Sequence, residues 1–97
     1  MAIMAFHRTP SLTQERYEEV IRRLTGKEPP LRSLGDLPFT GILFHAAGNT
    51  PDGWCVVDIF ESEDAIDRFR QALGTIPWDV GIEAPPEFFP AHTYVSR

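Results

Sequence analysis

The tetrapeptide Thr50-Pro51-Asp52-Gly53 separates two runs rich in apolar and β-branched residues, Ile42 to Asn49 and Trp54 to Glu61. Pro presets φ, Asp bonds back to the backbone and Gly accepts a positive φ, so the tetrapeptide is a turn and the flanking runs are the two strands of a hairpin. If the loop closes with two or four residues, Asn49 faces Trp54, and stepping back along both strands brings His45 opposite Asp58. Directly opposed side chains lie about 5 Å apart at Cβ. A carboxylate at that distance fixes the tautomer and orientation of an imidazole, which is a common way to build a general base. The alternative reading of the pair is an edge ion pair on a solvated sheet face.

The hairpin lies in the middle of a longer pattern. Residues 3–8 read as a first strand bounded by Thr9-Pro10. Ser11 with Gln14 makes a capping box, with Thr13 as a competing cap, and Tyr17, Val20, Ile21 and Leu24 then form one face of a helix that ends at Gly26. The segment Lys27 to Gly41, with Pro29, Pro30, Gly35 and Pro38, reads as a long loop, a feature that in a small domain is usually functional or mobile. After the hairpin, Ser62 caps a second helix whose buried stripe is Ala65, Ile66, Phe69, Ala72 and Leu73. Gly74 to Pro86 reads as irregular, and Glu87 to Val95 as a last strand that Pro90 confines to an edge or a bulge. The order β-α-β-β-α-β predicts an α+β, ferredoxin-like domain over residues 1–97, with a four-stranded antiparallel sheet and both helices on one face.

That architecture leaves one sheet face bare. On strict alternation one face of the hairpin carries Ile42, Phe44, Ala46, Cys55, Val57 and Ile59, and the other Leu43, His45, Ala47, Asn49, Trp54, Val56, Asp58 and Phe60. Both are too apolar for water, so the bare face predicts a homodimer. A chain of 97 residues buries only roughly 60–65% of its unfolded surface, and no segment is left over to form a cover. The net charge of −5, with the basic residues scattered, argues against nucleic acid and anionic membranes as partners. Cys55 is the only cysteine, so an internal disulfide and a Cys-rich zinc site are both excluded. No stretch resembles a signal peptide or approaches the ~20 apolar residues of a membrane span, so the expected location is cytoplasmic.

The run from Trp54 through Asp58, Phe60, Glu61, Ser62 and Ala65 to Phe69 resembles the strand-to-helix signature of the dimeric α+β barrel superfamily. There an acidic residue, one apolar residue and an aromatic precede Glu-Ser-x-x-Ala. Ala5-Phe6-His7-Arg8 leading to Leu12-Thr13 resembles first strands of the antibiotic-biosynthesis-monooxygenase-like group, and the Gly41–Gly53 hairpin resembles a subgroup of small bacterial proteins. The resemblance spans nearly the whole chain. It implies a dimer with a ligand pocket in each subunit between helices and sheet. The family includes cofactor-independent oxygenases of aromatic polyketides, haem-degrading enzymes, cyclases and isomerases. By this resemblance Phe60 faces the pocket, on the side of its strand shared by Asp58, Val56 and Trp54, and His7 matches a polar first-strand residue lining it. The haem-degrading members carry a haem-ligating His on the second helix, where this chain has Arg70, so haem degradation of that type is not expected.

Without a phosphate loop, nucleotide fingerprint or nucleophile elbow, the chemistry open to the chain is proton transfer, and no cofactor is expected. His45 is the candidate base, Asp58 its orienting partner and His7 a second polar group; Trp54, Phe60, Asn49, Tyr17, Trp78 and Arg70 are candidate ligand contacts. Trp78 stands in an irregular stretch where it can close a pocket mouth, whereas Asn49 can simply serve the turn and Tyr17 can simply pack its helix. Convergence of His7, His45 and His92 would make a three-imidazole metal site, but no H-x-H or H-x-x-x-H spacing supports one. The expected activity is that of a small homodimeric enzyme of specialised metabolism, monooxygenase- or cyclase/isomerase-like, acting on a hydrophobic or aromatic small molecule. The rival is a non-catalytic small-ligand-binding or accessory dimer.

Overall fold

A computed structural model describes all 97 residues. The strands are β1 (Ile3–His7), β2 (Ile42–Thr50), β3 (Gly53–Phe60) and β4 (Glu87–Pro90), and the helices are α1 (Gln14–Thr25), α2 (Glu63–Leu73) and the short α3 (Ile76–Asp79). The sheet order is β2-β3-β1-β4 with every neighbouring pair antiparallel, the ferredoxin-like arrangement.

Local chemistry sets the helix ends. Thr13, not Ser11, caps α1, accepting a hydrogen bond from the Arg16 amide at 3.2 Å. Ser11 is engaged elsewhere: its Oγ accepts from the Glu83 amide at 2.8 Å and its carbonyl from the Arg16 guanidinium at 2.9 Å. These bonds tie the start of α1 to the segment after α3. Gly26 closes the helix in the left-handed conformation, with φ 71° and its N–H on the Arg22 carbonyl. Ser62 caps α2 through the Ala65 amide, and Ala65 and Ile66 are buried against the sheet.

The hairpin keeps the expected register over most of its length, pairing Asn49 with Trp54 and His45 with Asp58. It departs near Gly41. Ile42 pairs with Phe60 and Phe44 with Ile59, so Leu43 is an extra residue. This bulge reverses the alternation. Ile42 therefore lies on the helix side, 9% exposed in the core with Phe60 and Ala65, and not on the bare face with Phe44.

Three further boundaries differ from expectation. The last strand stops at Pro90, opposite Ile3 at the start of β1, and not at Val95. After the Ala91 amide bonds to the Ala2 carbonyl the chain leaves the ladder, and the Tyr94 hydroxyl donates to the Leu43 carbonyl of β2, the opposite edge strand. The irregular stretch after Gly74 contains α3, with Pro77 in its first turn. The long loop is pinned by a 3₁₀ turn at Leu34–Asp36 and a 2.8 Å Lys27–Asp36 ion pair, and it lays Leu34, Leu37 and Phe39 on the core.

The core is divided. On the helix side β3 presents Val56, Asp58 and Phe60 in turn; Val56 belongs to a cluster with Leu12, Val20 and Ile82, and Phe60 to one with Ala5, Ile42, Ala65 and Ile66. Asp58, 7% exposed, lies between them. The opposite sheet face carries Met4, Phe6, Phe44, Ala46, Cys55, Val57 and Phe89, and Phe6, Phe44 and Phe89 remain 40–44% exposed. No helix is long and apolar enough to cross a membrane.

Candidate functional site

A cavity of about 470 Å³ opens between the two core clusters. The sheet contributes Ala5, His7, His45, Val56 and Asp58 to its walls, and α1 contributes Tyr17, Val20 and Leu24. Its lining is mainly hydrophobic, so its few polar groups stand out.

Three of those groups form a chain. Asp58 Oδ1 lies 2.6 Å from His45 Nδ1, and His45 Nε2 lies 2.6 Å from the Tyr17 hydroxyl. Ionised Asp58 can only accept, which places a proton on Nδ1, leaves Nε2 as an acceptor and makes the Tyr17 O–H a donor to it. The carboxylate and imidazole side chains are only 10% and 14% exposed. The sequence makes this geometry from two sources: the hairpin register supplies Asp58 and His45, and the apolar stripe of α1 supplies Tyr17. The rings of Tyr17 and His45 are nearly parallel, and Trp54 packs against Tyr17 at 5.5 Å. Burial, reinforced by Asp58 and Glu18, pushes the Tyr17 phenol up to about 12. The phenol is therefore neutral at physiological pH and holds its proton toward His45.

His7 lines the same cavity. Its Nε2 lies 2.6 Å from the Ala84 carbonyl, which can only accept, so Nε2 carries a proton. Burial lowers its pKa from 6.5, against opposing contributions from the Ala84 hydrogen bond and from Asp58. The ring is neutral at pH 7, and its Nδ1 lone pair has no protein partner.

The other sequence-derived candidates divide. Arg70 and Trp78 line the cavity; the Arg70 guanidinium lies 5.0 Å over the Phe88 ring, and Trp78 is 68% exposed at the rim. Phe60 does not reach the cavity. It is fully buried, with Phe69 and Phe88 packed around it at 5.0 and 6.5 Å, because the small Ala65 lets α2 settle directly on it. Trp54 is likewise outside the lining, behind Tyr17, with its indole N–H buried and unpartnered. Asn49 is exposed beside the turn, opposite Trp54. His92 lies past β4, exposed and bonded to Thr93, away from His7 and His45. No group of three or more His, Cys, Asp or Glu side chains is placed to hold a metal ion.

Several wall residues carry no sequence signal of their own. Leu37 and Phe39 come from the long loop, and Ala84, Pro85 and Pro86 from the segment before β4. The one available hint was the presence of large apolar residues inside a proline-rich loop, which mark a segment folded back onto the core. Comparison with protein-family models, with curated proteins and with solved structures gives no match to this chain.

Proposed function

We propose that this protein is a small homodimeric, cofactor-independent enzyme of specialised metabolism that moves a proton to or from a hydrophobic or aromatic ligand, in the manner of the dimeric α+β barrel monooxygenases or cyclase/isomerases its sequence resembles. The observation that carries this reading is the Asp58–His45–Tyr17 chain, with 2.6 Å at each link, opening on an apolar cavity.

Both imidazole nitrogens are taken, so the group presented to a ligand is the Tyr17 oxygen. An acidic C–H or phenolic O–H gives its proton to that oxygen while the Tyr17 proton passes to His45 Nε2. Charge then rests on an imidazolium held by Asp58, and no phenolate accumulates. The high pKa of the phenol is therefore no obstacle to the transfer. His7, neutral and with a free Nδ1, is a second acid–base group on the same cavity. The deprotonated ligand is then set up to cyclise or isomerise, or to react with dioxygen as co-substrate.

Homodimerisation is supported by the exposed apolar face, since apolar side chains such as Phe6, Phe44 and Phe89 on one sheet face favour an isologous partner. A cytoplasmic location remains part of the same proposal. The second reading, a non-catalytic ligand-binding or accessory dimer, is favoured by one specific fact: Tyr17 and Asp58 together occupy every hydrogen-bonding position on His45.

His45→Ala and Asp58→Asn separate the two readings when assayed against a panel of aromatic and polyketide-like phenols and ketones. Equal loss of turnover in both variants with retained ligand affinity supports the relay. Loss of stability with no turnover in the parent protein supports the binding dimer.

A further inference from the structure

Arg70 is the only arginine or lysine lining the cavity, where the carboxyl side chains are Asp58 and Glu83. Its guanidinium makes no hydrogen bond. The nearest carboxylate, Asp67, lies 3.9 Å away with both side chains more than half exposed. The guanidinium groups of Arg16, Arg22, Arg23 and Arg68 are, by contrast, each bonded to an oxygen of this chain. Arg70 is nevertheless held in place, because it lies over Phe88 on the cavity wall. A planar five-donor group resting on an aromatic face and making no hydrogen bond suits an oxyanion approached in two-pronged fashion. Deep in the cavity Asp58 repels a second negative charge, so an anionic ligand has one favourable orientation, with its charged end at Arg70 and its body along Phe69, Leu73 and Phe88. In a chain of net charge −5, this single cation at the cavity is a means of selection.

We propose that Arg70 is the anchor for a carboxylate, and that the ligand of this cavity is an aromatic or polycyclic acid rather than a neutral hydrocarbon or ketone. The inference rests on the reading of the cavity as a ligand site and does not depend on the relay being catalytic.

The test is calorimetric binding at neutral pH of two matched probes, 2-naphthoate and 2-naphthamide, to the parent protein, Arg70→Gln and Arg70→Lys. The parent is expected to prefer the naphthoate by about tenfold, ~1.4 kcal/mol. Arg70→Gln should reduce that preference to about twofold or less without changing affinity for the amide, and Arg70→Lys should restore part of it. High salt should weaken the naphthoate alone. Equal binding of both probes by the parent overturns the proposal and leaves the ligand site intact. A preference that survives in Arg70→Gln also overturns it, placing the anion on other groups. Failure of both probes to bind removes this proposal and the aromatic-ligand reading together.

Discussion

The Tyr17 hydroxyl donates to Nε2 of His45 across 2.6 Å, joining the first helix to the central hairpin at the one point where the core is divided. The bond converts a His–Asp pair, which by itself would expose a basic nitrogen, into a three-member chain that ends in a neutral phenol. Its strength derives from burial: the same desolvation that pushes the phenol up to about 12 also removes competing water from the bond.

Tyr17→Phe isolates that hydroxyl, since the ring and its packing on Trp54 are retained. His45 Nε2 is then left in a largely buried site without a partner, which costs about 1–3 kcal/mol. Urea denaturation should show the midpoint falling with an unchanged slope. With a turnover assay in hand, the relay predicts a loss on the order of 10²-fold or more in kcat, with little change in KM. Parent-like turnover in Tyr17→Phe would mean that the proton does not pass through this oxygen.

The His–Asp half of this chain was legible in the sequence, and the tyrosine's part in it was not. A turn of known type fixes strand register, and register is a matter of counting, so Asp58 opposite His45 follows from the residues around Gly53. Tyr17 was visible as a member of an apolar helical stripe and as a candidate ligand contact, but not as the partner of His45, because a single helix pattern does not say which sheet row its side chains meet. The bulge at Leu43 was also hidden, and with it the transfer of Ile42 to the core, since one extra residue changes no local propensity. Phe60 was placed on the correct side of its strand, but its enclosure by Phe69 and Phe88 depends on how closely α2 approaches. The walls supplied by Leu37, Phe39 and Pro85 come from loops, where no periodicity reports burial.

His7 makes stability depend on pH in a defined window. Its pKa in the folded protein lies below 6.5, chiefly through burial, so between that lowered value and 6.5 the unfolded chain binds more protons than the folded one. Stability from this group is therefore complete above 6.5, declines as pH falls from 6.5 toward the lowered value, and is level below it. Thermal unfolding at about pH 7 and about pH 5 should show a smaller acid-side drop in Tm for His7→Gln, which keeps a donor for the Ala84 carbonyl but does not titrate. An identical drop in the variant would show that His7 is not the group responsible.

Gly41 lies where loop meets sheet, with φ 96° and its carbonyl accepting the Glu61 amide at 2.8 Å. A Cβ at this position would stand 2.5 Å from Ala65 Cβ and 2.7 Å from the Arg68 guanidinium. Arg68 can move aside, but Ala65 cannot, being fully buried on α2. Backbone strain and the clash together make Gly41→Ala cost at least about 2 kcal/mol. The expected reading is a fall in Tm of roughly 10 °C by calorimetry. Gly53→Ala is the control: it also has positive φ, but a Cβ there meets nothing within 4 Å, so its loss should be the smaller.

Phe6 is the sharpest probe of the bare sheet face, because it lies on β1, one of the two inner strands, yet remains 40% exposed beside Phe89. In a monomer, replacing it with Asp loses its partial burial and its edge contact with Phe89 but leaves the molecular mass in solution unchanged. In an isologous dimer the same change acts twice, removing two aromatic contacts of about 1 kcal/mol each, since 40% of Phe6 is left for a partner to cover, and burying two unpaired carboxylates. Light scattering after size-exclusion chromatography should therefore give a dimer mass for the parent and a monomer mass for Phe6→Asp at micromolar concentration. The position of His45 and Asp58 on the opposite face means that the variant should keep its Tyr17–His45 bond, observable as an unchanged His45 ¹⁵N tautomer signature. A parent that runs as a monomer at every concentration would reject the homodimer, and the exposed aromatics would then need a partner of another kind.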